Sequence, residues 1–158
     1  MPSILFDISE IDLDTSLFTL DEIGKLCPQR GDMRQLDGIS HAHQEKGNCQ
    51  YVGFKDVKDD EFWVSGHIPG RPLFPGVLMI EAAAQLSSFM MRSIYPDVDF
   101  VGFIGADKVK FRKEVNPGVR MYLLAQEVKS RPRRVICDAQ GIVNGEIVFE
   151  ATITGMPI

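Results

Sequence analysis

The stretch Pro75-Gly-Val-Leu-Met-Ile-Glu-Ala-Ala-Ala-Gln-Leu-Ser-Ser-Phe-Met-Met-Arg92 decides the fold. It is apolar almost all round, which is the pattern of a helix buried inside a domain. Pro75 suits the first turn, where no amide donor is needed, and Pro96 bars much extension. A helix from Pro75 to about Ser93 is predicted. Ala82, Ala83, Ala84, Ser87 and Ser88 are small, so a sheet can approach this helix closely.

Outward from the helix the chain reads as strands. Downstream they are predicted at Phe100 to Ile104, Val109 to Val115, Met121 to Val128, Arg134 to Val143 and Ile147 to Thr154. Asn144-Gly145 joins the last two as a tight hairpin. Upstream, Gly66 to Pro75 is rich in Gly and Pro and is read as irregular. Glu61 to Gly66, with Phe62, Trp63 and Val64, is read as a short strand. Leu36 to about Val57 reads as two strands turning at Gly47-Asn48. Thr19-Leu-Asp-Glu22 matches a capping box and predicts a short helix ending before Pro28, with Ile23 and Leu26 inward. Residues 1–18 form an acidic arm. The expected architecture is α+β, one antiparallel sheet wrapped around one long central helix. Residues 1–158 are expected to make a single domain.

Composition narrows the function classes. The chain is 44% hydrophobic and 25% charged with a formal net charge of -5, an ordinary globular balance that disfavours nucleic acid as a partner. Three cysteines without a Cys-x-x-Cys spacing point to a reducing, cytoplasmic compartment. The N-terminus lacks the basic start of a secretory signal, and no apolar run reaches the ~20 residues of a membrane helix. A soluble protein with no membrane partner is expected.

The chemistry lies in two residues. Glu81 is the only ionisable side chain between Pro75 and Met91. A lone helical Glu usually sits at a solvent edge, but here the helix has little polar face. A carboxyl in such surroundings favours its protonated form. Gln85, one turn on, can hydrogen-bond to it. His67 lies in the Gly66-His-Ile-Pro-Gly-Arg-Pro72 loop, whose prolines leave few conformations; taken alone it reads first as a turn histidine hydrogen-bonded to the backbone, and the pairing with Glu81 is what suggests more. A neutral His removes a proton, and a buried Glu donates one. Elimination of water from a beta-hydroxy thioester needs both acts. It also needs a donor for charge growing on the carbonyl oxygen, a task suited to the Gly76 amide at the helix N-terminus.

The run from Gly66 to Gln85 closely resembles the signature of the beta-hydroxyacyl-acyl-carrier-protein dehydratases of fatty-acid synthesis. The His, the prolines, the Pro-Gly before the helix, the Glu and the Gln are all retained, with Ile68 in place of the family's Phe. Weaker similarity extends from Leu26 to Thr154. Leu26-Cys-Pro-Gln-Arg30 resembles Leu-x-Pro-His-Arg, with Gln29 in place of His. In the Gly105 to Gly118 segment, Asp107, Phe111, Val115, Pro117 and Gly118 match, while Glu114 stands where Pro is usual.

The resemblance implies a hot-dog fold and a homodimer, able to build higher oligomers, whose active sites each take His67 from one chain and Glu81 from the other. It implies His67 as base, Glu81 as acid and the Gly76 amide as carbonyl donor, with Pro75, Val77 and Gln85 beside the substrate. It implies an acyl carrier protein bearing a 3-hydroxyacyl chain as partner, and no metal or organic cofactor. Glu rather than Asp at position 81 implies the branch that dehydrates without isomerising. The rivals are a hot-dog thioesterase and a non-catalytic acyl-binding module.

His41 and His43 alternate and share a face, but with no third ligand in sight they read as surface histidines. Lys129-Ser-Arg-Pro-Arg-Arg134 reads first as a solvated loop, and more sharply as a dock for an acidic carrier protein through Arg131, Arg133 and Arg134. Lys108, Lys110 and Arg112 are candidates to join that patch. Phe89, Phe103, Phe111, Met79, Met90 and Met91 supply candidates for an acyl tunnel, most of them expected in the core.

Overall fold

A computed structural model describes residues 2–158; Met1 of the acidic arm lies outside the described residues. Strands β1 (Gly38–His43), β2 (Gln50–Val57), β3 (Val101–Phe111), β4 (Val119–Arg131), β5 (Arg134–Val143) and β6 (Glu146–Pro157) form one sheet. Its order is β1-β2-β4-β5-β6-β3, and every neighbouring pair is antiparallel. Helix α1 (Leu20–Leu26) precedes β1, and helix α2 (Gly76–Ile94) lies between β2 and β3. This is the expected α+β sheet wrapped around a central helix.

Local chemistry sets the ends of these elements. The Thr19 hydroxyl accepts the Glu22 amide while the Glu22 carboxylate accepts the Thr19 amide, so the capping box is complete. Asn144 and Gly145 both take positive φ, 50° and 78°, as the tight β5–β6 hairpin requires. Pro75 caps α2 with extended backbone and no side-chain bond. The α2 residues Met79, Ala82, Ala83, Leu86, Phe89 and Met90 face the sheet and form the core with Tyr51, Leu123, Phe149 and Ile153.

The sheet's other face carries a second apolar cluster. Val52, Leu124 and Ile142 are covered there by Leu5, Phe6, Ile8, Ile11 and Leu13 of the arm. Gln140 ties the arm down by accepting the Leu5 amide at 3.0 Å and donating to the Ser3 carbonyl at 2.9 Å. The acidic arm is thus a strap with an apolar underside.

Two expectations need correction. Glu61 to Gly66 is a run of turns rather than a strand. The Val64 amide bonds to the Glu61 carbonyl and the His67 amide to the Trp63 carbonyl, which winds the chain instead of extending it. The segments expected as two strands between Phe100 and Val115 are one strand, β3, ending at Phe111. Register shifts after Phe103 and after Asp107, the latter with Lys108 at φ 52°, keep it paired to β6 while breaking the apolar alternation.

Candidate active site

His67 sits after the turns and before α2. Its ring Nδ1 lies 2.9 Å from the Leu73 carbonyl. A carbonyl only accepts, so Nδ1 carries the proton and Nε2 is left as the basic nitrogen. The His67 amide donates to the Trp63 carbonyl at 2.8 Å. Ile68 has φ 57°, a costly conformation for a β-branched residue, and it turns the chain sharply behind the histidine. Arg71 pairs with Glu114, and the Phe74 amide donates to the Val115 carbonyl at 2.8 Å. The loop is therefore tied to the segment after β3, with Glu114 serving as the tether.

The imidazole opens on a cleft that it shares with Leu73, Gly76, Val77, Met79 and Phe111. Gly76 begins α2, and its amide has no protein acceptor among the described residues. That amide is a free donor at the positive end of a 19-residue helix. Gly76 also fits because a Cβ there would stand 2.7 Å from the Phe111 ring. Val77 is 71% exposed, an unusual state for a helical valine beside a cleft.

Glu81 lies in a different cavity of about 140 Å³. It is half-buried, and Gln85 Nε2 donates to its Oε1 at 2.8 Å. Gln29, Gln85 and Ser88 supply polar groups to this cavity, and Ala84, Met91 and Phe103 supply apolar ones. The Gln29 side-chain oxygen is buried without a partner. Cys27 donates its thiol to the Gln85 carbonyl at 3.3 Å. Burial pushes that thiol up to about 12, against the pull of Arg92 and Arg30, so it is a neutral donor and not a nucleophile at neutral pH.

Within one chain His67 and Glu81 share no cavity. Helix geometry explains this. Five positions separate Gly76 from Glu81, about 7–8 Å along the axis and roughly 140° around it. The two therefore face different sides of α2. Both sides are rimmed by exposed apolar groups, Val77 and Phe111 on one and Phe103 on the other. β3, which carries Phe103 and Phe111, is an edge strand of the sheet.

Arg131, Arg133 and Arg134 are exposed at the β4–β5 hairpin. Val135, the next residue, lines the Glu81 cavity. Lys108, Lys110 and Arg112 form a separate cluster against Asp138, Gln140 and Glu150, roughly 13–20 Å along β5 from Arg134. His41 and His43 stack with ring centroids 6.5 Å apart. No group of three or more His, Cys, Asp or Glu suited to a metal occurs among the described residues. Of the tunnel candidates, Met91 and Phe103 line the Glu81 cavity and Met79 and Phe111 the His67 cleft, while Phe89 and Met90 are core. No helix among the described residues is long and apolar enough to cross a membrane.

Comparison with known proteins assigns this architecture. Residues 27–152 match the model of the FabA-like domain. The 3-hydroxyacyl-[acyl-carrier-protein] dehydratase FabZ of Desulfotalea psychrophila is 37% identical over 133 residues, covering 81% of this chain and 85% of that protein. This chain belongs to the FabA-like dehydratase family. A FabZ dehydratase of Clostridioides difficile is 35% identical over 138 residues, covering 87% of this chain and 95% of its own. The bifunctional LpxC/FabZ enzyme of Chlorobaculum tepidum is 36% identical over 141 residues, and the chain spans 29% of that longer protein. Among solved structures, the dehydratase heterocomplex ApeI:P of Xenorhabdus doucetiae aligns with TM-score 0.68 at 13% identity, over 86% of this chain and 90% of that one. A putative thioesterase, YhdA of Lactococcus lactis, aligns at 0.63 with 8% identity, over 75% and 88%. Both carry the same hot-dog fold, here enclosing α2. As a family member the chain is a hydro-lyase.

Proposed function

We propose that this chain dehydrates a 3-hydroxyacyl chain carried on acyl carrier protein to the trans-2-enoyl thioester, with His67 as base and Glu81 as acid. The observation that carries the reading is the pinned imidazole beside a free helix N-terminus. The Leu73 carbonyl holds the proton on Nδ1, and the Gly76 amide opens on the same cleft.

The thioester carbonyl accepts the Gly76 amide, flanked by Pro75 and Val77. Charge developing on that oxygen is thereby stabilised. Nε2 of His67 removes a proton from C2. The electron pair forms the C2–C3 double bond as the C3–O bond breaks. The protonated Glu81 carboxyl gives its proton to the leaving hydroxyl, and water departs. His67 ends protonated and Glu81 ionised, and proton exchange with solvent resets both. No metal or organic cofactor enters the scheme.

Since each chain holds the two groups apart, the working unit is a homodimer with each site shared between chains. The exposed apolar rims on both sides of α2 support that arrangement. Residues 1–158 act as one domain with residues 1–18 as its strap, in the cytoplasm, and Arg131, Arg133 and Arg134 receive the acidic carrier protein.

The test follows enoyl absorbance and free thiol together, on a 3-hydroxyacyl carrier-protein substrate. Reversible enoyl formation without thiol release is expected. Thiol release identifies a thioesterase instead. Neither signal across short, medium and long chains leaves an acyl-binding module.

A further inference from the structure

Outside the two cavities, the most unusual feature is a buried charge. Lys55 on β2 is 5% exposed. Its ammonium lies 2.9 Å from Glu61 Oε2 and 3.9 Å from Asp37 Oδ2. Burying such a pair costs desolvation that hydrophobic residues of similar size would avoid. The sites that its partners occupy give the pair a purpose.

Glu61 is saturated with donors. Its Oε2 also accepts the Trp63 indole N–H at 3.1 Å, and its Oε1 accepts the Lys58 amide at 2.8 Å. This fixes the Trp63 ring, which packs on Phe74 with centroids 5.6 Å apart. The Lys55 ammonium lies 6.0 Å from the centroid of the same Phe74 ring. Trp63 and Phe74 are thus both clamped on one ion pair. The backbone at these two points is what holds the histidine. The Trp63 carbonyl takes the His67 amide, and the carbonyl of Leu73, next to Phe74, takes His67 Nδ1.

We propose that the buried Lys55–Glu61 pair is a positioning device for His67, fixing through Trp63 and Phe74 the two carbonyls that set the ring's place and tautomer. Lys55 and Glu61 touch neither substrate nor the reacting atoms. The inference rests on the reading of His67 as the base. The segment from Glu61 to Gly66 winds into turns, and in that form one carboxylate takes the Lys58 amide, the indole and the ammonium.

The test uses the full chain as Lys55→Met and, because losing a buried cation can impair folding, Trp63→Phe, which removes the indole donor and keeps an aromatic ring against Phe74. Two quantities are read on folded protein. One is the His67 tautomer at alkaline pH by 15N NMR, its signal assigned by its absence in His67→Ala. The other is the split between kcat and KM on a 3-hydroxyacyl carrier-protein substrate. The wild type should show the Nδ1–H form. The variants should show mixed tautomers and a kcat lower by roughly ten- to a hundredfold, the scale of a displaced catalytic group. KM should stay within about twofold, because neither side chain bonds to the Gly76 amide proposed to hold the thioester carbonyl. A wild-type tautomer or a wild-type kcat in both variants overturns the proposal. Full turnover in His67→Ala would instead overturn the base assignment on which it rests.

Discussion

Gln85 Nε2 is shared between the Glu81 carboxylate, at 2.8 Å, and the Met33 carbonyl, at 2.7 Å. Its oxygen accepts the Gln35 amide at 2.9 Å, and the side chain is 2% exposed. One buried amide therefore orients the candidate acid and fastens the loop before β1 to α2. Gln85→Leu should leave the buried Gln35 amide unpaired, which costs about 1–3 kcal/mol. A lower urea midpoint with an unchanged m-value is expected; an unchanged midpoint would show that water replaces the side chain.

Glu81→Gln should separate acid chemistry from structure. The new amide oxygen can still accept from Gln85, so the fold and its melting temperature should hold. Turnover should fall by about a hundredfold or more, the usual scale of a general acid. Enoyl absorbance measures the rate, and a loss under threefold would remove Glu81 from the acid role.

Phe103 is 50% exposed on the edge strand β3 and also walls the Glu81 cavity. Isolated exposed apolar residues are ordinary, but Phe103 adjoins Ile104 on an open sheet edge. Phe103→Asp should therefore yield a folded monomer without turnover. Sedimentation velocity with circular dichroism checks this, and an active dimer would place the subunit contact elsewhere.

Reversing charge at Arg133 and Arg134 should raise KM for carrier-linked substrate several-fold and flatten its dependence on salt. Turnover of a small thioester analogue should be unaffected. An equal loss on both substrates would rule out docking at this hairpin.

What the sequence revealed and what it concealed divides along physical lines. The Thr19–Glu22 box, the Asn144-Gly145 hairpin and the long apolar helix each depend on residues a few positions apart, so their signals are local. The signature from Gly66 to Gln85 likewise carries its constraints within one segment. Phe62-Trp63-Val64 misleads because Trp63 answers to Glu61 and Phe74 rather than to a strand partner. β3 looks like two strands because its bulges break the alternation. The Gln85 knot joins residues some fifty positions apart, and nothing near Met33 or Gln35 announces it. Gln29 is singled out in the sequence only as a departure from the family's His; the fold brings it to the cavity of Glu81.

Mixing two inactive variants shows whether an active site is shared between chains. His67→Ala and Glu81→Ala, each purified, are combined in equal amounts, allowed to exchange subunits and assayed for enoyl formation. If each site draws His67 from one chain and Glu81 from the other, half the dimers are mixed and each carries one intact site. Activity should then return to roughly a quarter of the wild-type value. No recovery despite proven subunit exchange would mean that both groups act within one chain and that no site is shared.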